Sequence, residues 1–294
     1  MELYSLLSNT YKLDGGAMFG NAPKVLWERW MPADEQNRIR LATRCMLARN
    51  HKEVIVFESG IGAYLDPKYR ERFGVDEPEH MLLKSLDGRG VSPQAVTRIY
   101  LTHLHFDHAG GLLSAWQEGK PPELLFPNAR YYVGEQAWER AIHPHLRDRA
   151  SFIPRLHQLL EASGRLEIFH QDDVFSFDGL DVRFFPSQGH TPGMMCFDLR
   201  FGGERLVFAS DLIPGRPWVH LPISMGYDRF PELLIDEKGR LLAELEKEKA
   251  WLFYVHDPEM AVSRVRYEAE KQAYEVVAPQ RDLVASDREI FSGD

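Results

Sequence analysis

Hydrophobic positions along the chain fall into short runs whose spacing switches repeatedly between that of a strand and that of a helix. Residues 39–48 alternate apolar and polar side chains. Residues 53–57 (Glu-Val-Ile-Val-Phe) form a buried-strand run that stops at Glu58-Ser59-Gly60. A short helix is predicted over residues 80–86 and another buried strand over 96–102. Helices are predicted over 107–117, 134–142 and 150–163, with strands over 130–133, 166–169, 182–185, 194–199 and 205–209. Residues 210–230 are rich in proline, glycine and aromatics and read as a long functional loop. A charged amphipathic helix over 231–250 and a last buried strand over 251–255 follow. Residues 1–38 read as an extended N-terminal arm with a turn at Asp14-Gly15-Gly16 and an aromatic patch of Phe19, Trp27 and Trp30. Strands interleaved with helices throughout predict a layered α/β fold in one domain over residues 1–294.

Composition narrows the class. With 294 residues, 44% hydrophobic and 27% charged, the chain can bury a large core without covalent staples. Cys45 and Cys196 lie in apolar runs and are expected to be buried free thiols. A net charge of −9, with no run of more than two basic residues, argues against nucleic acid as a partner. No apolar stretch approaches the roughly 20 residues of a membrane span. The first residues lack the basic and long apolar segments of a secretion signal, so a cytoplasmic location is expected, or a mature form whose signal has been removed.

Chemistry concentrates after the strand at 96–102. The segment Thr102-His103-Leu104-His105-Phe106-Asp107-His108-Ala109-Gly110-Gly111 places three of twelve histidines within six positions. His103 and His105 are two apart at a strand end, so both rings can point the same way. Asp107 is a plausible N-cap of the helix that follows, and Gly110-Gly111 permits close approach. Imidazole with carboxylate suits zinc or a similar first-row metal. Three more candidates stand at strand ends: His190 in Gln188-Gly189-His190-Thr191-Pro192-Gly193, Asp211 after Ala209-Ser210, and His256 before Asp257-Pro258. Taken singly, each reads as an ordinary turn or loop residue. Together, five histidines and two aspartates suggest two metal ions with one bridging carboxylate.

In this order and spacing the chain resembles the metallo-β-lactamase superfamily of metallohydrolases, over nearly its whole length. The resemblance implies a four-layer αββα sandwich with two divalent metal ions at one edge, zinc foremost and manganese, iron or cobalt also suited. It implies that His103, His105 and His190 hold the first ion, that Asp107, His108 and His256 hold the second, and that Asp211 bridges them. Two departures stand out. Glu58-Ser59-Gly60 occupies the place of an Asp-x-Gly turn whose carboxylate orients a ligand histidine, so Glu58 is the expected orienting group, one methylene longer. Met194-Met195 follows the GHTPG turn where many relatives carry a further histidine, which is not a general metal ligand.

Two such ions would make a bridging hydroxide available near neutral pH to attack an electrophilic carbonyl or phosphorus. Asp107 could hold that nucleophile by a hydrogen bond. No GxSxG elbow and no dinucleotide-binding GxGxxG is present. The segments around Asp14-Gly15-Gly16-Ala17-Met18-Phe19-Gly20 and Met225-Gly226-Tyr227-Asp228 look like the lactonase branch, similar to quorum-quenching N-acyl-homoserine-lactone hydrolases. That resemblance makes Tyr227 a candidate phenol for the leaving oxygen. Met18, Phe19, Trp27, Trp30, Trp218, Leu221, Ile223 and Met225 are candidates for an apolar wall, and His220 for a polar group at the mouth. The expected partner is a small lactone or ester, with the aromatic arm a candidate homodimer contact. Competing readings are an organophosphate or aryl-ester hydrolase, a thioesterase, a phosphodiesterase, and a metal-bound sensor without catalysis.

Overall fold

The computed structural model describes residues 1–286 together with the backbone of residues 289–290. The chain opens with strands β1 (Glu2–Leu7) and β2 (Tyr11–Asp14), short helices α1 (Gly15–Phe19) and α2 (Lys24–Trp27), then β3 (Arg38–Leu41), β4 (Arg44–Arg49) and β5 (Val54–Phe57). Helices α3 (Pro67–Arg72) and α4 (Met81–Asp87) lead to β6 (Arg98–Leu101), α5 (Phe106–Ala109), β7 (Arg130–Gly134), α6 (Glu135–Ile142), α7 (Pro154–Ala162) and β8 (Leu166–Phe169). The second half comprises β9 (Val174–Phe177), β10 (Leu180–Ser187), β11 (Met194–Phe201), β12 (Glu204–Phe208), α8 (Pro231–Glu248) and β13 (Trp251–Phe253). It closes with β14 (Val262–Glu268), β15 (Ala273–Gln280), β16 (Val284–Ser286) and β17 (Glu289–Ile290).

Two large sheets carry the architecture. The first runs β17-β16-β1-β4-β5-β6-β7-β8, the second β15-β14-β13-β12-β11-β10-β9, and β2 pairs with β3 in a small ribbon. In the first sheet β5, β6, β7 and β8 are parallel neighbours, so the connections between them must cross over and supply helices. The second sheet is antiparallel except for β12 beside β13.

Three apolar clusters separate the layers. Met46, Phe57, Tyr100, Phe184, Phe197, Phe208 and Phe253 fill the space between the sheets. Leu82, Leu86, Trp138, Leu156 and Leu160 cover the outer face of the first sheet against Val56, Ile99 and Val133. Leu234, Leu241, Leu242 and Leu245 of α8 cover the second sheet against Val207, Leu252 and Tyr254. The order helix, sheet, sheet, helix is the αββα sandwich expected. Both cysteines are buried and free. Among the described residues no helix is long and apolar enough to cross a membrane.

Several sequence expectations need correction. The arm is not peripheral: β1 lies inside the first sheet, Leu3 pairing with Ala48 on one side and Ala285 on the other. The alternation over 39–48 is two strands in two different sheets, divided at Ala42-Thr43. The helix predicted over 107–117 is one turn followed by a 3-10 turn at Gly110–Leu112. Gly111 ends the regular helix because it packs on Ser59: a Cβ there would sit 2.0 Å from the Ser59 carbonyl oxygen. The strand at 251–255 is not the last, since β14 to β17 follow. Of the aromatic arm, Phe19 and Trp27 are buried, and only Trp30 is substantially exposed.

Candidate metal centre

Five strand-end segments from both sheets meet at one edge of the sandwich. β6 delivers His103 and His105, and α5 then carries Asp107 and His108 in a single turn. The β10–β11 turn delivers His190, the residues after β12 deliver Asp211, and those after β13 deliver His256. The end of β5 contributes Glu58. Two of these positions carry backbone strain. Glu58 (φ 66°) and Ser210 (φ 49°) both adopt the left-handed region that a non-glycine residue enters at a cost of about 1–3 kcal/mol. Asp107 is not the helix N-cap. That place falls to His105, which makes no side-chain cap bond, and the Asp107 carboxylate turns instead to Tyr11.

The seven side chains converge in groups small enough to hold single ions. His103, His105, His190 and Asp211 form one, and Asp107, His108 and His256 another, with the potential ligand atoms of each within 4.8 Å of one another. Glu58, His103 and His108 also fall within that limit. Asp211 links the two principal groups: its Oδ2 is 3.1 Å from His190 Nε2 and 3.4 Å from His108 Nε2, and its Oδ1 is 3.0 Å from His256 Nε2. His190 Nε2 and His105 Nδ1 lie 3.3 Å apart, as do His256 Nε2 and His108 Nε2. Among the described residues, buried His103 Nε2 and His105 Nε2 have no hydrogen-bond partner. Orphaned imidazole nitrogens facing carboxylates and each other are what a cation site provides, so these residues fit a pair of divalent metal ions.

The outward nitrogens are held in turn. His190 Nδ1 is 2.9 Å from Asp228 Oδ1, and His256 Nδ1 is 2.8 Å from the Ala42 carbonyl. His108 Nδ1 is 3.2 Å from Glu58 Oε2, while Glu58 Oε1 accepts from the Thr102 backbone N–H at 2.8 Å and from its hydroxyl. Fixing Nδ1 in this way leaves Nε2 directed inward, in the tautomer that ligates. The left-handed turn at Glu58 brings the longer carboxylate onto His108, the orienting place the sequence suggested.

Burial, helped by the neighbouring imidazoles, pushes the pKa of His103 and His105 well below the ordinary histidine range, so both are neutral and ligand-competent. Burial alone would raise Asp211, but His108, His256 and His190 overcome it and hold the carboxyl well below its usual range. Burial and then the Asp107 charge raise Tyr11, whose hydroxyl donates to Asp107 Oδ2 at 2.5 Å.

A cavity of about 400 Å³ opens above the cluster. His105, Asp107, His190, Asp211 and His256 reach its floor, and Tyr11, Met18, Phe73, Phe106, Met225 and Tyr227 form much of its wall. Met18 and Met225 therefore stand where an apolar wall was expected. Phe19, Trp27 and Trp218 do not line it. Phe19 stacks between Trp27 and Trp218, at 5.5 and 4.7 Å between ring centroids, so these rings pack the arm against the core. Trp30 and His220 line a separate cavity of about 470 Å³.

Tyr11, Asp228, Phe73, Phe106, Arg72 and Arg147 belong to this site and were not picked out from the sequence. Tyr11 was hidden by reading residues 1–38 as an arm, although Tyr-Lys-Leu before Asp-Gly-Gly carries a short strand-like alternation. Asp228 adjoins Tyr227 in the Met225-Gly226-Tyr227-Asp228 segment, and its pairing with His190 exists only in the folded chain.

The family described as Metallo-beta-lactamase superfamily matches residues 38–256. Among curated proteins, the N-acyl homoserine lactonase AiiA of Bacillus thuringiensis subsp. kurstaki is 26% identical over 189 residues, which span 63% of this chain and 65% of that protein. Among solved structures, a probable metal-dependent hydrolase from Staphylococcus aureus superposes with a TM-score of 0.82 at 28% identity, covering 95% of this chain and 96% of that one. AidC, described as a dizinc quorum-quenching lactonase, gives a TM-score of 0.72 at 21% identity over 94% of this chain and 93% of its own.

Proposed function

The chain belongs to the metallo-beta-lactamase superfamily of hydrolases, and from that premise we propose that it opens lactones or related esters, N-acyl homoserine lactones foremost, at a two-metal site. The observation that carries this reading is the position of the two ligand groups on the floor of one cavity walled by Met18, Phe73, Phe106 and Met225. Such a wall suits an acyl chain, and the floor suits a carbonyl.

His103, His105 and His190 would hold one ion and Asp107, His108 and His256 the other, with Asp211 available to both. When bound, such ions lower the pKa of water and polarise a carbonyl oxygen. The protein's part is orientation and proton placement. Tyr11 fixes Asp107 by the 2.5 Å hydrogen bond to Oδ2, the oxygen that also lies 3.8 Å from His108 Nε2 and 3.6 Å from His256 Nε2. Tyr227 keeps its proton at neutral pH, because burial, Asp107 and Asp14 all raise its pKa. With the Tyr11 proton committed to Asp107, Tyr227 is the phenol that can donate to the leaving alkoxide.

The test is hydrolysis of long- and short-chain acyl lactones, an aryl ester, a thioester, a phosphotriester and a phosphodiester by protein loaded with zinc, manganese, iron or cobalt. Lactones should dominate, and His108→Ala and Asp211→Asn should abolish their turnover together with metal retention. Tyr227→Phe should lower kcat by about two orders of magnitude without changing metal content. Preferred turnover of the phosphodiester, the phosphotriester or the thioester would overturn the lactonase reading.

A further inference from the structure

The rim of the same cavity carries two arginines from distant parts of the chain, Arg72 at the end of α3 and Arg147 before Asp148. Among the described residues neither forms an ion pair. The Arg72 guanidinium lies over the Phe73 ring, 5.7 Å from its centroid, and Phe73 packs on Phe106, 4.8 Å between centroids. Arg72 is thus laid along the apolar wall. Arg147 Nη2 donates to the Gly226 carbonyl at 3.0 Å, which tethers it beside Tyr227 while its remaining donors are uncommitted.

The acidic groups nearby are otherwise engaged. Asp148 also lines the cavity, but its carboxylate receives Arg140 at 2.6 Å, with Arg229 Nε 3.9 Å away. Asp107 and Asp211 belong to the floor. Asp14, the other carboxylate acting on Tyr227, accepts from the Ala17 N–H and the Asn37 side chain, both at 2.8 Å. In a chain of net charge −9, this leaves two unneutralised cations at the mouth of an apolar cavity. Planar guanidinium forks match a carboxylate.

We propose that Arg72 and Arg147 form an anion subsite, so that the preferred substrate carries a carboxylate at the end of its acyl chain remote from the reacting carbonyl. This deepens the lactonase reading and rests on it for the placement of the ring. The chain of such a substrate runs along Met18, Phe73, Phe106 and Met225, and its terminal charge meets the rim. Neutral chains of equal length fit the same wall but lack the final contact.

The experiment compares binding, by calorimetry, of N-acylated α-amino-γ-butyrolactams, the non-hydrolysable analogues of homoserine lactones, in pairs of equal length: N-butanoyl with N-succinyl, N-hexanoyl with N-adipoyl, and N-octanoyl with N-suberoyl. Metal-loaded wild type, Arg72→Gln, Arg147→Gln and the double variant are used. In wild type, one of the carboxylate chains should bind about fivefold more tightly than its neutral counterpart of equal length. The advantage, taken as the ratio of charged to neutral binding within each variant, should shrink in 0.5 M salt and vanish in the double variant. Equal binding of charged and neutral chains at every length, an advantage that survives the double variant, or no binding of any lactam would overturn the subsite. Turnover of the matching lactones is scored separately. Its absence alongside charge-selective lactam binding would sink the lactonase reading and leave the subsite standing.

Discussion

Glu58 divides its carboxylate between two duties. One oxygen accepts from the Thr102 N–H and hydroxyl at the end of β6, and the other faces His108 Nδ1 at 3.2 Å. The left-handed backbone at φ 66° is held by these contacts together with the Glu58 N–H donating to the Tyr100 carbonyl at 2.8 Å. Glu58→Gln preserves volume but removes the negative charge that holds the imidazole. It should weaken one of two metal equivalents by about 10- to 100-fold while leaving far-UV circular dichroism unchanged. Titration against a competing chelator reads this directly, and two unchanged equivalents would show that Glu58 does not orient His108. The residues legible in the sequence share a property: His103, His105, Asp107 and His108 crowd ligand types into one short segment, and the later ligands follow strand-like runs. Tyr11 and Asp228 act through partners 96 and 38 positions away, so nothing local ties either to the site. Arg72 and Arg147 were invisible for the same reason, since only the folded chain brings them to one rim.

Helix α8 shows how an element outside the site governs it. Its apolar stripe covers the second sheet, yet Lys238 on the same helix is fully buried. The Lys238 ammonium donates to the carbonyls of Ile223 and, at 3.3 Å, of His220, pinning the loop that continues to Met225 and Asp228. Burial lowers its pKa to about 7, only partly countered by Asp228. Between pH 7 and the ordinary lysine range the unfolded chain therefore binds a proton that the folded chain does not, and stability gains with rising pH across that window. Relative to Lys238→Met, the wild type should become progressively more stable from pH 7 to pH 10, by urea unfolding; a pH-independent difference would refute the assignment. Most elements were legible because they are continuous buried runs, as in β5, β6, β12 and β13, or keep a regular period, as in β10. Strands β9, β14 and β15 were not, since they lie at or near a sheet edge with largely half-exposed side chains. Alternation fades where neither face is fully covered. β1 alternates well enough, but only its pairing with β4 and β16 distinguishes an inner strand from a loose arm.

At the scale of the molecule, the candidate metal centre ties the two sheets together. His103, His105, Asp107 and His108 come from the end of the first sheet, and His190, Asp211 and His256 from the second. Ions held across that seam would bind the folded chain in preference to the unfolded one, and a ligand at about 1,000 times its Kd adds about 4 kcal/mol. Chelation should therefore lower Tm by about 10 °C, and restoring metal should recover it. A Tm indifferent to both would mean that the cluster holds no metal in the folded protein. The placement of β1 has a further consequence for how the chain is made. Leu3 can meet Ala48 once 45 further residues are made, but its other neighbour, Ala285, leaves the ribosome more than 280 residues after it. At about 5–20 residues per second, that edge stays bare for roughly a quarter of a minute to a minute. Throughout that interval the nascent chain offers an unpaired strand to any other, so crowded polysomes are where this fold is most exposed to mispairing.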